Sequence, residues 1–259
     1  MELFPDRAHV RLRSRVHGAY LHADEDGVGV SLSGRRETLN TVWAVHRVQR
    51  RRKNYLLLHS AAYGRYLALS PGHLRHTGCG AVQCGYFNDF DQRDIMWVAT
   101  RKPDGDVFIC NRAFGPWYSP DGFTTMAWVV EGVPSRGVPP LLPDVFTPFC
   151  VPMQQDPPVF WFRRFILYMQ GDDYRNIDFQ NARVLVFDGQ SVSQLREELA
   201  ERLEEMHPVR VTMCIWAGSY GRLTPLITDL PSNHETIEVV MFESWSPAAL
   251  ELVYPDVDA

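Results

Sequence analysis

HGAYLHADEDGVGV, residues 17–30, holds two histidines, three consecutive acids and three glycines. The fold of the first half turns on whether this stretch is an acid–base or metal site, or a turn between strands. Its repetition answers the question. Gly18 is followed two residues on by Tyr20, and the same spacing returns at Gly64 and Tyr66 and at Gly115 and Trp117. Each unit opens on a short alternating strand and closes on a tryptophan-led one: TVWAVHRV at Trp43, IMWVATRK at Trp97 and MAWVVEGV at Trp128. Glycine ahead of an aromatic permits a tight turn that delivers the ring inward. Three such units, each too short to bury its own apolar face, predict a closed β-trefoil barrel with pseudo-threefold symmetry. Asp24-Glu25-Asp26-Gly27 is then a water-facing hairpin turn, with Gly27 supplying the positive φ. His17 and His22 fall outside the repeated pattern, and the sequence shows no partner for them.

The opening strand VRLRSR alternates Val10, Leu12 and Ser14 with Arg11, Arg13 and Arg15, which predicts one packed face and one solvated face. From glycine to closing tryptophan the three units span 25, 33 and 13 residues, so the third repeat is expected to be truncated.

Residues 131–160 carry eight of the 18 prolines. Proline fixes φ and removes a backbone donor, so this stretch reads as an extended linker. Its apolar residues, among them Leu141, Leu142 and Phe146, predict packing on a domain surface. Beyond it the rhythm changes. RRFILYMQ (163–170) and ARVLVFDG (182–189) read as strands. SVSQLREELAERLEEM reads as a helix, capped by Ser191 with Gln194 and buried along Val192, Leu195, Leu199, Leu203 and Met206. VRVTMCIWAG and ETIEVVMF follow as further strands. The expected organisation is mainly β with two domains: a β-trefoil over 1–132, a Pro-rich linker over 133–160, and an α+β β-grasp (ubiquitin-like) domain over 161–259. The ending PDVDA lacks a free diglycine, which speaks against use as a conjugated modifier.

GAYLHADEDGVGVSL, TVWAVHRV, GRYLALSPG and MAWVVEGV, with RVLVFDGQSVSQLREELAERL, GSYGRLTPLITDLP, HETIEVVMF and VYPDVDA, resemble a plant family known by a domain-of-unknown-function label. Its N-terminal part is similar to the actin-crosslinking β-trefoils of fascins. The resemblance implies a binding role, with filamentous actin, another protein or a sugar as ligand.

Composition limits the remaining classes. The start, MELFPDRAHVRLRSR, has no apolar stretch of the kind a secretory signal needs, and no segment reaches the roughly 18 apolar residues of a membrane span. Five scattered cysteines fit reduced thiols. An intracellular, cytoplasmic protein is expected, with no membrane partner. Residues 1–130 hold 17 basic and 12 acidic side chains, and the remainder 9 and 19. That asymmetry suggests domains with different partners.

The strongest partner signal is HRVQRRRKN (46–54), which supplies Arg47, Arg50, Arg51, Arg52 and Lys53 as candidate contacts for an acidic protein surface such as actin. Nucleic acid is disfavoured because the neighbouring aromatics read as core residues instead of a stacking platform. A carbohydrate-binding alternative would use Tyr20 and Tyr66 with Asp24 and Asp26. His73, His76, Cys79 and Cys84 are zinc-type ligands within 12 residues, but their spacing matches no standard zinc module. Asp89, Asp91 and Asp94 lack the glycine and closing glutamate of a calcium loop. Ser219, Asp229 and His234 can be drawn as a triad, with nothing to bring them together. No nucleophile elbow, phosphate loop, metalloprotease helix or dinucleotide fingerprint occurs. A non-enzymatic protein without a cofactor is the expectation.

Overall fold

The computed structural model describes residues 2–69, 80–85, 93–103, 105–111, 127–143, 162–173, 176–203, 210–218 and 222–259. The chain forms two compact units: Met1–Pro139 with Ala217–Thr224 and Val253–Ala259, and Pro140–Trp216 with Pro225–Leu252. The units are therefore not the contiguous blocks that composition implied. Two late segments of the chain belong to the first unit.

In the first unit the strands are β1 (His9–Ser14), β2 (Tyr20–Ala23), β3 (Val30–Ser33), β4 (Val42–Arg50), β5 (Lys53–Ser60), β6 (Tyr66–Leu69), β7 (Ala81–Cys84), β8 (Trp97–Arg101), β9 (Val107–Asn111), β10 (Ala127–Val133) and the short β11 (Ser135–Arg136). β1 pairs with β4, β4 with β5, β5 with β8, β8 with β9, β9 with β10, and β10 returns to β1. All six pairings are antiparallel, so the ring closes and leaves no open edge. Val10, Leu12, Trp43, Leu56, Leu58 and Ile109 fill it. Two hairpins, β2–β3 and β6–β7, attach to the ring and join each other. The Gln83 amide donates to the Val28 carbonyl at 2.7 Å, and the Gln83 side chain donates to the Gly29 carbonyl at 2.9 Å. This is a β-trefoil.

The repeat seen in the sequence is a repeated set of bonds. Gly18 and Gly64 take φ of 67° and 65°. The Gly18 amide donates to Ser14 at 2.9 Å, as Gly64 does to Ser60 at 2.7 Å. Each serine hydroxyl also accepts an amide, from His17 and Tyr63 respectively. The tryptophans follow the same rule. Trp43 Nε1 donates to the Leu21 carbonyl at 3.1 Å and Trp97 Nε1 to the Leu67 carbonyl at 2.8 Å. Each ring thus packs in the barrel while its polar tip ties the barrel to the preceding hairpin. Gly115 and Trp117, and the shortening expected of the third repeat, lie outside the described residues.

The acidic stretch is a turn. Gly27 has φ 70° and donates to the Asp24 carbonyl at 2.9 Å, and Asp26 Oδ1 accepts the amides of Val28 and Gly29. His22, whose partner the sequence left unidentified, lies 3.1 Å from Asp24 Oδ1 through Nδ1.

The second unit contains β12 (Arg163–Gln170), β13 (Arg183–Asp188), α1 (Val192–Arg202), β14 (Val211–Ile215), β16 (Ile237–Glu243) and the one-turn α2 (Pro247–Leu250), and the two-residue β15 (Thr224–Pro225) falls at its boundary in the chain. The sheet order is β13-β12-β16-β14-β15, with β12 and β16 parallel at its centre. This is the β-grasp arrangement. α1 buries Val192, Leu195 and Leu199 against Ile166, Val239 and Met241. The Ser191 hydroxyl accepts the Gln194 amide at 3.3 Å, and Asp229 accepts the Val192 amide at 3.0 Å. The end of the predicted helix, Met206 included, lies outside the described residues.

β17 (Tyr254–Pro255) pairs with β11 of the first unit. Its segment explains one departure from the sequence pattern. Arg11 was expected to face water, yet its side chain is fully buried, and Nη2 donates to the Val257 carbonyl at 2.7 Å.

Candidate functional site

The basic run is the end of a hairpin. β4 and β5 pair in register from Trp43 opposite Ser60 to Arg50 opposite Lys53. Only Arg51 and Arg52 remain for the turn, with φ of 48° and 63°. Two central residues of positive φ make the turn whose twist suits a two-residue hairpin, a position normally given to Asn-Gly. The strands beneath it are firmly held. On β5, Leu56 and Leu58 face the barrel interior, while Tyr55 and Leu57 pack with Tyr66, Ile95 and Met96 on the other side. From residue 54 outward that burial ends. Arg47, Arg51, Arg52, Lys53 and Asn54 are exposed, and Arg50 is half-buried. The projecting end is roughly three residue pairs, about 10 Å, of rigid ladder.

Its electrostatics run against local stability. Arg50 and Lys53 stand directly opposite each other, a like-charge pairing that destabilises a hairpin. Among the described residues no carboxylate pairs with the side chains of Arg47, Arg51, Arg52 or Lys53. At the root, Asp6 accepts the Arg47 amide and Arg222 Nη2, both at 2.8 Å. Burial pushes the Asp6 carboxyl up, but these two bonds and the Arg222 charge outweigh it and hold it below its ordinary value. His46 and His59 stack nearby with ring centroids 5.7 Å apart, and Tyr66 lies 4.3 Å from His59. Burial lowers these histidines to about 4 and about 3. The positive charge at the tip therefore belongs to arginine and lysine, independent of pH in the neutral range.

The other sequence candidates separate. Tyr66 is completely buried, so it is no surface contact, a correction to its place among the candidates. Tyr20 is half-buried, and its hydroxyl lies 3.3 Å from Glu131 Oε2. Asp24 holds Ser31 at 2.5 Å besides His22, and Asp26 is spent on its own turn. His73, His76 and Cys79 lie outside the described residues, and Cys84 sits half-buried on β7 beside the Tyr66 cluster. Among the described residues no group of three or more His, Cys, Asp or Glu is placed to hold a metal. Of the three acids tested as a calcium loop, Asp89 and Asp91 also lie outside. Asp229 caps α1 and His234 Nδ1 lies 3.1 Å from the Arg163 carbonyl, while Ser219 lies outside the described residues. Sequence inspection missed Asp6 and Arg222, 216 positions apart. No local pattern marks either.

A family model for a β-trefoil domain of unknown function, DUF569, matches residues 1–104, and one for the DUF569-associated ubiquitin-like domain matches residues 162–242. The chain carries both domains. The basic hairpin thus lies within the DUF569 trefoil. Solved structures similar to the chain include the BEL β-trefoil in an apo crystal form, at 16% identity and TM-score 0.38 over 50% of this chain and 95% of that one. An endo-β-galactosidase from Clostridium perfringens that releases GlcNAcα1-4Gal matches at 20% identity and TM-score 0.37, over 49% and 33%. A mosquitocidal holotoxin matches at 9% identity and TM-score 0.36, over 84% and 25%. No curated protein matches the chain. Among the described residues no helix is long and apolar enough to cross a membrane.

Proposed function

We propose that this is a non-enzymatic binding protein whose DUF569 trefoil engages an acidic protein surface through the β4–β5 tip. The supporting observation is the tip itself. Four exposed cations are carried on a rigid ladder, closed by two arginines in a backbone conformation that arginine disfavours. A turn chosen for stability would hold Asn-Gly; this one holds charge instead. A hairpin closed by Arg51 and Arg52 in a disfavoured backbone conformation, with no carboxylate on either side chain among the described residues, is best explained by a partner that supplies one. The fascin-like resemblance makes filamentous actin, an acidic polymer, the first partner to try.

Co-sedimentation with filamentous actin across a salt series tests this. Binding should be strongest at low salt, weaken as salt screens the charges, and fall at least tenfold in R51E/R52E. Absence of pelleting at low salt overturns the actin assignment. Pelleting unaffected by R51E/R52E overturns the role of the tip.

A further inference from the structure

A second recognition surface on the trefoil unit is built from other residues. Residues 253–259, VYPDVDA, lie on it as an extended segment read by three arginines. Ser135 pairs with Pro255 and Arg136 with Tyr254, and the Asp256 amide donates to the Pro134 carbonyl at 2.8 Å. Arg136 Nε donates to Asp256 Oδ1 at 3.0 Å, and its Nη2 reaches Asp258. Arg36 Nη1 donates to the Ala259 carbonyl at 2.9 Å. Arg11 Nη2 holds the Val257 carbonyl, and the Val257 side chain packs with Val42, Ala61 and Val133. Tyr254 is buried.

The chemistry is that of peptide capture by strand addition, in which a short ladder sets direction and alternate side chains set specificity. The ladder here is two residue pairs long. Selectivity falls to the acids at alternate positions, Asp256 and Asp258, both taken by one guanidinium. Arg11 adds a second observation. It is fully buried, and among the described residues its Nε and Nη1 have no hydrogen-bond partner. A buried guanidinium normally meets acceptors on all its edges, so this one retains unused capacity for an oxygen-rich ligand. We propose that the strip of Arg11, Arg36 and Arg136 is an acidic-peptide site, filled here by the chain's own residues 253–259. It opens to a partner's extended segment of the pattern Tyr-Pro-Asp-x-Asp when that segment displaces them. The internal occupant competes at a high effective concentration, so loosening it raises the affinity for an external peptide.

Fluorescence anisotropy with a labelled peptide of residues 253–259 reads this on the full chain. D256N/D258N weakens the internal segment and should bind the peptide at least tenfold more tightly than the unaltered protein. Adding R136A should remove that gain, and raising the salt should weaken binding. D258N alone alters a side chain 72% exposed and should move affinity the same way by a smaller factor, without risk to the fold. The proposal is overturned by equal affinity in the unaltered and D256N/D258N proteins. It is equally overturned by no binding to a variant that melts as the unaltered protein does, or by a gain that survives R136A.

Discussion

Replacing Arg51-Arg52 by Asn-Gly should make the trefoil more stable while removing its best binding charge. Both arginines occupy the left-handed region, at φ 48° and 63°, where an ordinary L-residue loses about 1 kcal/mol or more. Asparagine and glycine accept that region, so up to about 2 kcal/mol is recoverable. Glycine returns some of this through the greater freedom of the unfolded chain, about 0.5–1 kcal/mol. The net expectation is a gain of about 1 kcal/mol, worth roughly 2–4 °C in Tm for a unit of this size. R51A/R52A is the control, since it removes the same charge and keeps the strain. Differential scanning calorimetry with tryptophan fluorescence follows the trefoil transition in each protein. Asn-Gly should melt about 2–4 °C above Ala-Ala, and both should lose actin pelleting to a similar extent. If Asn-Gly and Ala-Ala melt together, the turn stores no strain and the inference drawn from it fails.

The repeated indole bonds and the buried histidines give two further expectations. Trp43→Phe and Trp97→Phe each leave a barrel-to-hairpin carbonyl unpaired and shrink a core ring, so each should cost about 2–4 kcal/mol in urea unfolding; a loss in only one of the two would break the structural equivalence of the repeats. Burial lowers His9 to about 4, as it lowers His46 to about 4 and His59 to about 3. The unfolded chain takes up protons near 6.5 while the folded one does not, so stability is full above pH 6.5 and falls as the pH drops toward 4. The slope is at most about 1.4 kcal/mol per pH unit for each histidine, and a urea midpoint unchanged between pH 7 and pH 5 would contradict it.

How much was legible depended on how local the cause is. The Gly18–Tyr20 and Gly64–Tyr66 turns are fixed by neighbours within six residues, and the β-grasp strands by alternation. Those features are readable in a single sequence. Arg11 was misread because alternation reports which face a side chain takes, not whether something from 246 residues away covers that face. Tyr66 was misread for a related reason: all four residues of β6 are buried, so the strand has no solvated face. The hairpin tip was visible as charge, but its backbone conformation was not, since nothing in Arg-Arg announces positive φ.

The return of residues 253–259 to the trefoil also sets a schedule for the nascent chain. The barrel strands are complete once residue 133 has left the ribosome, yet the Val257 carbonyl that Arg11 Nη2 meets is not made until residue 257. At about 5–20 residues per second that interval is roughly 6–25 s. For that time the guanidinium lacks the acceptor it holds in the folded protein, a place that water, a chaperone or an acidic strand can take first.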